Sequence, residues 1–462
     1  MKIMETHTCT MFLAGKKATL DGSTIVCREE DYSNAFDPQR FVYVKPADQP
    51  RHYESKSTAF KIDLPDNPVG YTSTPDADSS AGVFAAGGIN QHNVSMTGTL
   101  TITTNSRILG IDPFNNTDGI GEEDLVTLVL PYIKTAKEGV ERLGHLLEKY
   151  GTYESNALAF GDHDEVWYME TLGGHHWAAV RIPDDAFMIA PNRLTIDNFD
   201  FASDQTACSP DLQDLIDRNQ LNPSLDGHYN LREIFGSQTV TDTHYNNPRA
   251  WYVQQQLSAN PTGQPTDQDL PFICHPRRKI SIEDIKRVMS SHYQGTPYDP
   301  YEHDDKAPYR SIALNRNLEL HILQIRNGVP DAVSGIHWLA LGPNAFNTVV
   351  PFYANVTDTP ASYRDTPTDF ASGSMYWLTH TIAAIGDVHY DQAQAAVEAY
   401  EQKVVAACRH IQRSTDQHAG PASIQGQLTR ANEQMAGIAM KEATTLLGKL
   451  VTVAFKDAKL QY

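Results

Sequence analysis

The chain has 462 residues, 40% of them apolar and 20% charged, the proportions of a globular protein with one large core or two ordinary ones. Its formal charge of −20, with no Lys/Arg block long enough to track phosphates, argues against nucleic acid or an anionic membrane surface as a partner. No stretch approaches the ~20 apolar residues of a membrane-spanning helix, and Met1–Thr8 lacks the apolar segment of a secretory signal.

In chain order, Cys9–Leu13 and Thr24–Arg28 read as two short strands, joined through a turn-rich Gly15–Ser23 in which Asp21-Gly22 is a hairpin signal. Strands are predicted again at Gly82–Ala86, Val94–Thr103, Ala157–Phe160, Glu165–Glu170, His176–Ile182 and Phe187–Ala190. Helical spacing runs from Glu122 to Lys149, and Gly151 supplies a stop. From Asn198 to about Ile280 the chain is rich in Asp, Asn, Gln and Pro and reads as an irregular insertion with short helical pieces. Ser281-Ile-Glu-Asp284 opens a helix with a capping pattern. Strands resume at Leu318–Arg326 and Ile336–Leu341, and two long amphipathic helices, Tyr390–Ser414 and Ile424–Phe455, come after them. This order suits an α+β fold of two antiparallel sheets covered by helices better than a doubly wound parallel sheet. The glycine pair in Ala86–Asn90 lacks the spacing of a nucleotide loop, and no cofactor is expected.

The five cysteines, Cys9, Cys27, Cys208, Cys274 and Cys408, are too scattered for a disulfide framework, and a cytoplasmic protein is expected. Taken alone, Cys9 reads as a small buried hydrophobe. Its neighbours alter that reading. The hairpin returns so that Arg28, with Asp31 three residues on, can lie beside Cys9. A guanidinium favours a thiolate, and a carboxylate can hold an α-ammonium. Cys27 points away from Arg28 on the same strand and reads as packing.

Cys9-Thr10, Leu20-Asp-Gly-Ser23 and Arg28-Glu-Glu-Asp31 resemble the opening of the bacterial dipeptidase A family, which belongs to the N-terminal-nucleophile hydrolases beside penicillin V acylase and bile salt hydrolase. The resemblance continues in Gly87–Asn90, Glu165–Glu170, His175–Asp185, His292–Pro300, His321–Arg326 and His337–Gly342. After Asn90 the chain departs from the acylases, with Gln91-His92-Asn93. The resemblance implies a four-layer αββα sandwich over residues 9–355, a helical extension over 356–462 and a removable propeptide at 1–8. It also implies a homo-oligomer that hydrolyses dipeptides or short peptides. Once Met1–Thr8 is removed, the α-amine of Cys9 is the general base for its own thiol. Arg28 steadies the sulfur, Asp31 holds the amine, and Asn90 and Asn192 are the expected oxyanion donors. Arg316 is the candidate for the second arginine that acylases place near the nucleophile, against the alternative of a surface salt bridge. An acylase acting on acyl-amino acids, penicillin V or bile acids is the nearest rival function, and a non-catalytic protein with the same fold is the other.

Metal catalysis is not expected. His163, His175-His176 and His303-Asp-Asp305 lack the HExxH or paired-ligand spacing, and adjacent histidines on a strand would face opposite sides. No GxSxG elbow is present. The aromatic residues around Glu165–Trp177 and Tyr293–Tyr301 read as core.

Overall fold

A computed structural model describes residues 8–32, 37–302, 307–418, 420 and 423–459. The histidine of the 303–305 run and its two aspartates lie outside these residues, as does Met1–His7. Twelve strands build two main sheets: β1 (Thr8–Ala14), β2 (Thr24–Asp31), β3 (Gly87–Ile89), β4 (Ser95–Thr101), β5 (Asn156–Gly161), β6 (Val166–Thr171), β7 (Trp177–Arg181), β8 (Phe187–Ala190), β9 (Thr206–Cys208), β10 (Asn317–Ile325), β11 (Gly335–Leu341) and β12 (Val350–Tyr353). The first sheet runs β8-β1-β2-β10-β11-β12 and the second β9-β7-β6-β5-β4-β3, and every pairing in both is antiparallel. The α+β class is the direct consequence.

Strand alternation divides the core into three. Cys9, Met11, Leu13 and Val26 of the first sheet meet Leu100, Ala157, Ala159 and Tyr168 of the second in an inner cluster. On the other side of the first sheet, Phe12, Cys27, Ile322 and Trp338 pack under helices. On the outer side of the second sheet, Phe160, Trp167 and Met169 meet Val140, Leu143 and Leu147. Cys27 is thus packing, on the face opposite Cys9.

The helices that cover the sheets and frame the strand ends include α1 (Ala136–Tyr150), α2 (Val240–Leu257), α3 (Ile282–Met289), α4 (Met375–Gly386), α5 (Tyr390–His418) and α6 (Ile424–Lys456). Four sequence expectations need correction. The helix expected over Glu122–Lys149 is broken by Pro131 into a short helix over Leu125–Val129, one 3-10 turn and α1. The strand expected at Gly82–Ala86 does not form. Phe84 has φ of 42°, and the Ala86 carbonyl is taken by the Arg28 guanidinium. The segment read as an irregular insertion carries the 18-residue α2, with Pro248 inside it and buried polar residues that spoil its periodicity. The fourth correction concerns His175 and His176. They lie in the turn before β7, not on a strand, so both Nδ1 atoms converge on Asp112, at 3.1 and 2.7 Å.

Candidate active site

The β1–β2 hairpin sets the geometry. Its register pairs Cys9 with Glu30 and Met11 with Arg28. Residues opposite one another in an antiparallel pair share a face, so the Cys9 sulfur, Arg28 and Glu30 all point between the sheets. Arg28 Nη1 lies 2.9 Å from Cys9 Sγ and also donates to the Thr99 carbonyl at 2.6 Å. Its Nη2 reaches Glu30 Oε2 at 3.2 Å and the Ala86 carbonyl at 3.0 Å, and its Nε donates to Thr97 Oγ1 at 3.1 Å. Five donors meet five partners, which fixes the plane of the guanidinium.

Strand irregularities aim these partners. The β4–β5 register slips between Thr97 and Leu100, turning the Thr99 carbonyl toward Arg28 and Cys9. Behind Arg28, Thr97 Oγ1 meets His321 Nε2 at 2.9 Å, and His321 Nδ1 meets Glu319 Oε1 at 2.6 Å. Burial first, and then the Arg28 charge, push His321 down to about 3, so it is neutral.

Burial pushes the Cys9 thiol up. Arg28 pulls it down, while Glu30, Glu122 and Asp31 push it up again, and the balance lies well above the ordinary thiol range. With residues ahead of it in the chain, Cys9 is fully buried and holds its proton.

The Cys9 backbone is held as firmly as its sulfur. Asn192, just beyond β8, accepts the Cys9 N–H on Oδ1 at 3.3 Å and donates from Nδ2 to the Thr101 carbonyl at 2.9 Å. Arg249, on α2, donates from Nη1 to the Cys9 carbonyl at 2.6 Å and to Thr10 Oγ1 at 2.9 Å. Its Nη2 donates to Asn192 Oδ1 at 2.9 Å. Burial and then the Arg310 charge bring Arg249 down to about 10.

On the other side of the strand end, Asp31 pairs with Thr8 and accepts its hydroxyl proton on Oδ1. The same oxygen accepts from Arg316 Nε at 3.3 Å, and Oδ2 accepts from Arg310 Nη2. The Tyr245 ring lies under Arg249 and Arg310, 5.2 and 5.4 Å from their guanidinium carbons. Burial works to raise the Tyr245 phenol, but Arg310 and Arg249 outweigh it, and the phenol sits below its ordinary value.

Of the residues singled out from sequence, Cys9, Arg28 and Asn192 meet directly, and Asp31 stands one residue pair away. Arg316 does not reach Cys9. It is bonded to Asp31, and the second arginine on Cys9 is Arg249. Asn90 is occupied elsewhere: Nδ2 donates to the carbonyls of Leu130 and Ile133, and Oδ1 accepts from the backbone of His92 and Val94. None of these bonds involves Cys9, so Asn90 holds its own loop and offers no oxyanion donor in this geometry. Arg249, Arg310, Tyr245 and Glu30 escaped sequence reading. Only Glu30 had a signal, its place two residues after Arg28 on the same strand face.

The model of peptidase family C69 matches residues 8–403. The chain is 52% identical to the probable dipeptidase B of Lactococcus lactis subsp. lactis (strain IL1403), over 98% of this chain and 97% of that protein. It is 50% identical to dipeptidase A of Lactobacillus helveticus, over 99% of each, and 46% identical to a dipeptidase of Bifidobacterium longum (strain NCC 2705), over 88% of this chain and 83% of that one. With a match of this extent and a cysteine at the head of its first strand, the chain belongs to peptidase family C69, the dipeptidase A family that its motifs resemble.

Proposed function

We propose that this protein is a dipeptidase of the N-terminal-nucleophile type, with Cys9 as nucleophile after Met1–Thr8 is removed. The observation that carries the reading is the separate capture of the three functional parts of Cys9: its sulfur by Arg28, its nitrogen by Asn192 and its carbonyl by Arg249. Two antiparallel sheets with helices on both outer faces suit the αββα sandwich of that superfamily. Five free thiols suit a reducing compartment such as the cytoplasm.

Maturation begins with attack of Cys9 Sγ on the Thr8 carbonyl carbon. The Thr8–Cys9 C–N bond breaks, the nitrogen takes a proton to become the α-amine, and water releases the thioester. The Thr8 hydroxyl is one partner of Asp31, so its departure opens an acceptor position on that carboxylate for the new amine while Arg310 and Arg316 stay bonded to it. An amide nitrogen cannot accept a proton, whereas a free α-amine, with an ordinary pKa of about 8, can.

In turnover the amine takes the thiol proton and the thiolate attacks the peptide carbonyl. In this reading Asn192 Nδ2, which keeps one N–H beyond its bond to the Thr101 carbonyl, is the oxyanion donor. The amine's proton passes to the leaving amino group, leaving an acyl group on sulfur. Water, deprotonated by the same amine, attacks the thioester, and the acid departs. Arg28 holds the sulfur's negative charge before attack and again as the thioester is hydrolysed, and Glu30 keeps that guanidinium from swinging away.

Intact-mass measurement and turnover of a simple dipeptide test this. The active protein should begin at Cys9, while Cys9→Ala should keep Met1–Thr8 and show no turnover. Normal turnover by Cys9→Ala, or by a chain that keeps Met1–Thr8, would remove Cys9 from the mechanism. Faster cleavage of an N-acylated dipeptide than of the free dipeptide would favour an acylase.

A further inference from the structure

We propose that Arg316, next in the chain to residues that line an open 530 Å³ cavity, pairs with the free α-carboxylate of the dipeptide. This rests on the dipeptidase reading and adds which group recognises the end of the substrate.

The first observation is charge. Three guanidiniums, those of Arg249, Arg310 and Arg316, gather about the strand end where Asp31 lies. The two acids among them on that strand face are Asp31 and Glu29. Burial pushes the Glu29 carboxyl well up, with the Asp31 charge adding to it and Arg310 and Arg249 pulling against it, and the guanidiniums outnumber the two carboxyls in any case. The cluster therefore carries cation in excess, beside the nucleophile of an enzyme whose substrate ends in an anion.

The second observation is donor capacity. Arg310 is nearly buried, with Nη1 on the Ser311 carbonyl and Nη2 on Asp31, and its unpartnered Nε is itself buried away from any ligand. Arg316 is 30% exposed. It uses Nε on Asp31 and Nη2 on the Tyr245 hydroxyl at 3.4 Å, while its Nη1 donates to none of the described residues. Asp31 and Tyr245 hold the guanidinium in place and leave one edge for a ligand.

The third observation is access. Arg310, Leu314 and Asn315, the segment that leads into Arg316, line the cavity together with Tyr301, Tyr309 and Phe346. Arg310, which also holds Asp31, forms part of the wall, and Arg316 follows directly on Asn315. A dipeptide's carboxylate lies one residue, about 3.8 Å, beyond its scissile carbonyl. A longer peptide presents a neutral amide at that point, which makes only a weaker hydrogen bond to a guanidinium.

The experiment compares kcat/KM for a dipeptide and for the same dipeptide with a C-terminal amide, using protein shown by intact mass to begin at Cys9. The original enzyme should prefer the free acid by roughly ten- to a hundredfold, the effect of one charge-assisted pair, and mainly through KM. In Arg316→Gln that ratio should fall toward one, and Arg316→Lys should restore part of it. An unchanged ratio in Arg316→Gln, or no preference in the original enzyme, overturns the carboxylate assignment while leaving a dipeptidase. If matured protein cleaves neither substrate, the dipeptidase reading fails and this assignment with it.

Discussion

Arg28 and Arg249 divide the work at Cys9, one on the side chain and one on the backbone, and their removal should have different signatures. Arg28→Gln takes a charge from beside the sulfur, so kcat/KM should fall by ~10²–10³. Alkylation of Cys9 at neutral pH should slow as well, because less thiolate is present. The measurement is turnover alongside iodoacetamide labelling of the matured protein. Arg249→Gln acts on the other part. In the proposed mechanism the α-amine base must be unprotonated, so kcat/KM should rise with pH through a limb near the amine's ordinary value of about 8. Removing the Arg249 charge makes the ammonium easier to form, so in Arg249→Gln the limb should move to higher pH. A limb that stays in place would separate Arg249 from the amine. Arg28 was legible in the sequence because a hairpin brings it to Cys9 from nearby. Arg249 was not, because 240 residues separate it from Cys9 and only the placing of α2 joins them.

At the scale of elements, the loop after β8 must hold Asn192 against Cys9, and β6 anchors it. Glu170 Oε1 accepts from the Thr195 N–H at 2.5 Å, from the Ile196 N–H at 3.4 Å and from the Tyr168 hydroxyl at 3.1 Å. Burial lifts the Glu170 carboxyl to about 7, against the pull of these hydrogen bonds. The folded chain then binds this proton more tightly than the unfolded chain. The resulting stability is full below pH ~4.5 and is lost as pH rises through ~7, an effect on the order of 3 kcal/mol. Glu170→Gln keeps the acceptor and cannot ionise, so its melting temperature should fall less between pH 5 and 8 than that of the original protein. Equal slopes would show that Glu170 does not titrate in this range. The Gly87-Gly88 pair, set apart from nucleotide loops by its spacing, has a steric purpose. A Cβ on Gly88 would run into the Thr72 carbonyl oxygen. Helix α2 shows why an element can be missed. It buries Asn246, Asn247, Arg249 and Gln254 and contains Pro248, so the apolar period that marks a helix is absent from its sequence. Helix α4 falls within the expected helical extension, but it is apolar nearly all round, so no amphipathic period marks its bounds.

For the whole molecule, α5 and α6 complete the outer core of the first sheet and close its open edge. β12 is the edge strand. Asn432 of α6 accepts the Tyr353 N–H at 2.9 Å and donates to the Tyr353 carbonyl at 3.0 Å, standing in for the next strand. Arg326 at the end of β10 and the Tyr353 hydroxyl both bind Asp416 of α5. Asn432→Ala should therefore cost about 2–4 kcal/mol, because it orphans two buried backbone groups; denaturant unfolding measures this. A loss under about 0.5 kcal/mol, the low end for one hydrogen bond, would mean that the edge needs no cover. By itself the sequence determined what depends on near neighbours and period. It placed the hairpin that brings Arg28 to Cys9, most of the long strands, the two long C-terminal helices, and a pattern of short motifs specific enough to name a family. Tertiary structure alone decided which arginine holds the Cys9 carbonyl, where Arg316 and Asn90 spend their hydrogen bonds, and that two adjacent histidines share one aspartate. Those pairings join residues far apart in the chain, and their geometry is set by how helices and loops pack on the sheets, a property that no local window of residues carries.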